Sequence, residues 1–75
     1  MMKIEVRLFA TLADRQPDPP EMTLPDGATA GQLLAALSLT PEEATVILVD
    51  GRAADPDTVL HDKALVSLLP LVTGG

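Results

Sequence analysis

With 75 residues the chain has no room for a second domain with a deep cleft, and a domain this small buries only about 60–65% of its unfolded surface around one core. Eleven Asp and Glu against five Lys and Arg give a formal charge of −6, which works against nucleic acid and anionic membrane, since both reward clustered cations, and favours a basic protein surface as partner. Hydrophobic residues make up 47% of the sequence with Phe9 the single aromatic, so aliphatic side chains must fill the core, and the absence of cysteine excludes disulfides, a thiolate nucleophile and a thiolate metal site.

The N-terminal stretch Met1 to Leu8 carries charges where a signal sequence needs an apolar run, and nothing approaches the roughly 18 apolar residues of a membrane span, so the expected place is the cytoplasm. From Lys3 to Phe9 the pattern alternates: Ile4, Val6 and Leu8 share one face, Arg7 and Phe9 the other, as in a half-buried strand. Asp14 to Pro20 holds three prolines and reads as a loop, because proline can neither donate to a ladder nor sit inside a helix. Glu21 to Leu24 alternates again, and Pro25-Asp26-Gly27 then supplies the restricted φ, the side-chain acceptor and the flexible residue of a turn.

Thr29 with Gln32 three residues on forms a capping-box pattern, and Ala30, Leu33, Leu34 and Leu37 repeat at helical spacing, which predicts an amphipathic helix over 30–37. Thr40-Pro41-Glu42-Glu43 repeats the capping pattern and predicts a single turn ending near Ala44. Thr45 to Val49 is a short continuous β-branched run, read as the central strand with both faces buried and with Val46 and Leu48 toward the helix. Asp50-Gly51 marks a reversal into a weak edge piece at Arg52 to Ala54, and Ala64 to Leu69 forms the last strand, stopped by Pro70. In that strand Val66 and Leu68 belong to the core, while Leu65 and Leu69 share the outer face with Ser67.

Strand, strand, helix, strand, short strand, strand describes an α+β domain with one main helix packed on one face of a mixed sheet, and a β-grasp, ubiquitin-like arrangement fits that order. The predicted domain spans residues 1–70, and residues 71–75 form an extended, flexible tail ending in Gly-Gly. Little in the chain supports catalysis by its own side chains. His61 stands in a polar turn beside Asp62, the carboxylates fall mostly at caps and turns where they serve the backbone, and Gly27, Gly31 and Gly51 are isolated and form no phosphate loop. No metal site is expected. What stands out is Leu71-Val72-Thr73-Gly74-Gly75, where apolar residues precede a terminal Gly-Gly.

Val6-Arg7-Leu8-Phe9-Ala10-Thr11-Leu12, Leu24-Pro25-Asp26-Gly27-Ala28-Thr29 and Val66-Ser67-Leu68-Leu69-Pro70-Leu71-Val72-Thr73-Gly74-Gly75 together resemble the MoaD/ThiS family of sulfur carriers over nearly the whole chain. The Phe-Ala-x-Leu opening and the ending are more similar to the MoaD branch, the small subunit of molybdopterin synthase, although Leu69 replaces a usual aromatic and Leu71 a common second proline. The resemblance implies a carrier that is not itself an enzyme. Its Gly75 carboxylate would be adenylated by a ubiquitin-activating-type enzyme using ATP, with no cofactor held stably by the chain. Conversion to a thiocarboxylate would then arm it to donate sulfur within molybdopterin synthase beside the large subunit. Alternatives from the same resemblance are thiamine or another thiolation pathway, a protein modifier, or a non-covalent ubiquitin-like module. Gly74 and Gly75 would react, while Arg7, Phe9, Leu65, Leu69, Pro70, Leu71, Val72 and Thr73 would meet the partner.

Overall fold

Alternating apolar residues at the N-terminus do form a strand: in the computed structural model, which describes residues 1–70, β1 spans Met2–Leu8 with Met2, Ile4, Val6 and Leu8 buried. A 3₁₀ helix follows at Ala10–Arg15, then β2 (Glu21–Leu24), α1 (Ala30–Ala36), β3 (Val46–Val49), β4 (Arg52–Ala54) and β5 (Leu65–Leu69). The five strands make one mixed sheet in the order β2-β1-β5-β3-β4, with β1 parallel to β5 and the other neighbours antiparallel.

The helix forms for the reason its sequence suggests. Thr29 accepts the Gln32 amide at 3.2 Å and Gln32 returns the bond to the Thr29 amide at 2.8 Å. The remaining free amides of the first turn are taken by the segment after β4: Ala30 donates to the Thr58 carbonyl at 2.9 Å and Gly31 to that of Pro56 at 2.8 Å. That crossing is so close that a Cβ on Gly31 would lie 3.0 Å from the Pro56 oxygen. Leu33 and Leu34 point into the sheet, where Ile4, Val6, Val66 and Leu68 meet them with almost no exposure. Among the described residues the buried set is wholly apolar.

Three expectations are corrected. The central strand is β5 and not the 45–49 run, since β5 lies between β1 and β3. Within β3 it is Ile47 that is buried, at 3% exposure, while Val46 and Leu48 are half-buried and pair with Leu69 and Ser67 on the outer face. A continuous apolar run has no alternation from which to read its facing, so the parity comes only from pairing with β5. Third, the loop expected from Asp14 to Pro20 starts two residues later, because Asp14 and Arg15 close a 3₁₀ helix. Ala10 adopts φ 55 and leads into this helix, which is held by buried Leu12. The Asp50-Gly51 reversal is as predicted, with φ 53 and φ 83 giving the two left-handed positions of a tight hairpin.

Candidate functional site

The outer face of the sheet is divided by chemistry. Toward β2 it is charged: Lys3 stands 3.5 Å from Glu21, and Lys3, Glu5, Glu21 and Lys63 line a shallow groove. Toward β3 it is apolar. The pairings Arg7 with Ser67, Leu48 with Ser67 and Val46 with Leu69 lay Leu65, Ser67 and Leu69 between Arg7 on one side and Val46 and Leu48 on the other. Leu65 is exposed, and Ser67, Leu69, Val46 and Leu48 are half-covered, with no element among the described residues packed over them.

At the end of this strip stands Phe9, 45% exposed and just beyond β1. Its amide donates to the Leu68 carbonyl at 3.2 Å, which places it next to Leu69, at the end of the sheet where Pro70 leaves β5. The structure therefore brings together Arg7, Phe9, Leu65 and Leu69 as the alternation predicted, with half-buried Pro70 at the margin. It adds Val46 and Leu48, which pair with Leu69 and Ser67 on this face and do not turn toward the helix. Leu71, Val72, Thr73, Gly74 and Gly75 lie outside the described residues. Arg7 is not a free cation, because its guanidinium is tied to Glu5 at 2.7 Å and 3.1 Å, so the strip around it is close to neutral. An exposed aromatic and aliphatic strip with a neutral polar centre suits burial against a partner better than the chemistry of a pocket.

Perturbed ionisable groups lie at the margin of the strip, beside Leu65, or away from it. Asp50 accepts the Leu65 amide at 3.0 Å, and that bond, followed by the one to His61, lowers its pKa. His61 meets Asp50 through Nε2 at 2.5 Å and the Asp62 carbonyl through Nδ1 at 2.9 Å, and these two acceptors, Asp50 first, raise its pKa. Asp62 takes the Lys3 amide at 2.8 Å, the main cause of its lowered pKa. Glu43 is lowered first by the Thr40 amide and then by Arg15, whose guanidinium lies 2.8 Å away. Asp50, Asp62 and Glu43 thus hold backbone amides, and among the described residues no three His, Asp or Glu side chains gather as a metal site. No helix among them is long and apolar enough to cross a membrane.

A mixed five-stranded sheet with one helix across it and an apolar strip leading to the last strand's exit defines a ubiquitin-like β-grasp protein. The chain belongs to the ThiS family, whose model matches residues 6–75, and so to the ubiquitin-like sulfur carriers. Among solved structures it is similar to a Pyrococcus furiosus protein provisionally assigned as molybdopterin converting factor subunit 1 (TM-score 0.72, 27% identity, 96% of this chain and 100% of that one). It is also similar to the small archaeal modifier protein 1 of Haloferax volcanii (0.76, 23%, 96% and 100%) and to a structure of SAMP1 from that organism (0.73, 26%, 97% and 99%). No curated protein matches the chain.

Proposed function

We propose that this protein carries sulfur as a thiocarboxylate on Gly75 and delivers it in molybdopterin synthesis, with the outer strip of the sheet as its docking surface. The observation that carries the reading is the family match, which runs through Gly74 and Gly75. An α-carboxylate titrates near roughly 3.5 and is ionised at neutral pH, so it can attack the α-phosphorus of ATP without a base from this chain. Pyrophosphate leaves, a sulfur nucleophile attacks the acyl carbon, and AMP leaves in turn. Two residues without Cβ suit a narrow channel, and the five residues from Leu71 to Gly75 could reach about 16–18 Å when extended, far enough for the domain to stay outside. All catalytic groups then come from the partner: an adenylating enzyme of the ubiquitin-activating type first, the large synthase subunit afterwards. A partner that is basic around an apolar centre would complement the formal charge of −6. The molybdopterin branch is favoured over thiamine by the Pyrococcus furiosus neighbour.

The test is ATP–pyrophosphate exchange with the cognate activating enzyme on the native chain, on a chain extended by one residue after Gly75, and on Gly74→Val. Extension moves the carboxylate about 3.5 Å along the channel and should abolish exchange, while Gly74→Val should slow it with little change in melting temperature. Full activity in the extended chain, with the added residue still present, would refute the reading. The SAMP1 neighbour supports a second one, attachment of the same activated carboxyl to a protein amine. Intact mass from the native host separates the two: sulfur in place of oxygen for a carrier, covalent conjugates for a modifier.

A further inference from the structure

Strand β1 has different neighbours on its two edges. On one, β5 runs alongside from Glu5 to Leu8. On the other, β2 covers only Met2 to Glu5, after which the Val6 amide reaches the Pro20 carbonyl at 2.9 Å. The segment alongside is Pro17-Asp18-Pro19-Pro20, whose prolines have no N–H to give, so the ladder stops there for want of donors.

Gln16 continues it. Its Nε2 donates to the Val6 carbonyl at 2.8 Å and its Oε1 accepts the Leu8 amide at 2.8 Å. A carboxamide holds one acceptor and one donor group in a plane, as a peptide unit does, and here it takes the place of a missing strand residue. The backbone amide of Gln16 donates to the Ala13 carbonyl at 3.1 Å and ends the 3₁₀ helix. One residue therefore ties down both the strand before Phe9 and the helix after it. Phe9 sits between them with φ −121 and ψ 160, its carbonyl accepting the Leu12 amide at 3.1 Å. Ala10 then turns through φ 55, a conformation that a residue with a Cβ keeps only where its surroundings impose it.

We propose that Gln16 is the positioning residue of the docking strip: by standing in for a strand at Val6 and Leu8 it fixes the end of β1, and with it the place of the Phe9 ring. The inference rests on the docking reading of that face given above. Losing the carboxamide leaves the Val6 carbonyl and the Leu8 amide to water, loosens the turn at Phe9 and Ala10, and weakens recognition. The acyl chemistry at Gly75 is untouched, because β5 is held from its other neighbours.

Phe9 is the only Phe, Tyr or Trp residue, so its ring resonances can be followed by NMR in the full chain beside those of the single imidazole, His61. In Gln16→Ala, exchange of the Leu8 amide should quicken about tenfold or more, the equivalent of one to two hydrogen bonds, and the Phe9 ring signals should move toward those of an unfolded chain. Gln16→Glu keeps the acceptor for Leu8 but loses the donor to Val6 and should fall between. In pyrophosphate exchange with the cognate activating enzyme, KM for Gln16→Ala should rise several-fold with kcat unchanged. Leu24→Val, which loosens the core without touching Gln16, should leave KM and the Phe9 signals as they were. Unchanged Leu8 exchange and Phe9 signals in Gln16→Ala would overturn the proposal, as would an equal rise in KM for Leu24→Val. Displaced Phe9 signals with an unmoved KM would refute the role of Phe9 in docking, and with it the functional half of the proposal. If the native chain supports no exchange, the carrier reading falls, and the NMR result alone decides whether Gln16 positions Phe9.

Discussion

The facing of β3 can be tested by truncating two adjacent side chains. Ile47→Ala removes three carbons from a site that is 3% exposed, directly opposite Leu68. At about 0.8 kcal/mol per buried CH₂ the transfer loss is about 2.4 kcal/mol, and incomplete collapse of the cavity adds about 1 kcal/mol more. Leu48→Ala removes the same number of carbons from a half-covered position on the outer face, where solvent fills the space, so about 1 kcal/mol is expected. A chain of 75 residues has a total stability of about 4–11 kcal/mol, so the first change takes a large share and the second a small one. Urea unfolding followed by circular dichroism measures both, and at a slope of about 1 kcal/mol per M the midpoints should fall by about 3 M and about 1 M. Should Ile47→Ala prove unfolded from the outset, Ile47→Val, at about 1 kcal/mol, keeps the comparison open. Equal losses, or a larger loss at Leu48, would show that the register with β5 is wrong and would remove Leu48 from the docking strip.

Two further outcomes follow from local geometry. Gly31→Ala gains helix propensity of about 1 kcal/mol, yet its Cβ would press to 3.0 Å from the Pro56 carbonyl oxygen and 3.3 Å from the Pro56 Cβ, so the melting temperature should fall; a rise would mean the 55–58 segment yields freely. For the His61–Asp50 pair the signs oppose. His61 has a raised folded pKa, so its contribution is complete below the ordinary 6.5 and is lost as pH rises through the folded value. Asp50 has a lowered one, so its contribution is complete above 3.8 and is lost as pH falls through the folded value. The pair therefore helps most between those limits. The His61 imidazole should titrate above 6.5 by NMR, and Asp50→Asn should bring it back; a native midpoint at or below 6.5 would refute the contact.

Local signals were legible wherever a residue acts on its own neighbours. The Thr29–Gln32 box, the Asp50-Gly51 reversal, the alternation in β1 and β5 and the spacing of Leu33 and Leu34 each follow from short-range sterics or from amphipathic period, and they determined the order of elements, most of the core and the placement of Phe9, Leu65 and Leu69 on the outer face. Glu43 and Asp55 likewise hold amides two or three residues away, as carboxylates at caps and turns are expected to, whereas Asp50 and Asp62 hold the Leu65 and Lys3 amides from far along the chain. Tertiary structure alone decided the rest. That β5 and not β3 is central, and that Val46 and Leu48 face outward, depends on which strands pair, which an unbroken apolar run does not encode. The tight crossing at Gly31 brings Pro56 from far along the chain, and Gln16 serves as a strand only because prolines interrupt the segment beside β1. Neither has a local pattern, since each is one residue answering a vacancy that exists only after the chain has folded around it.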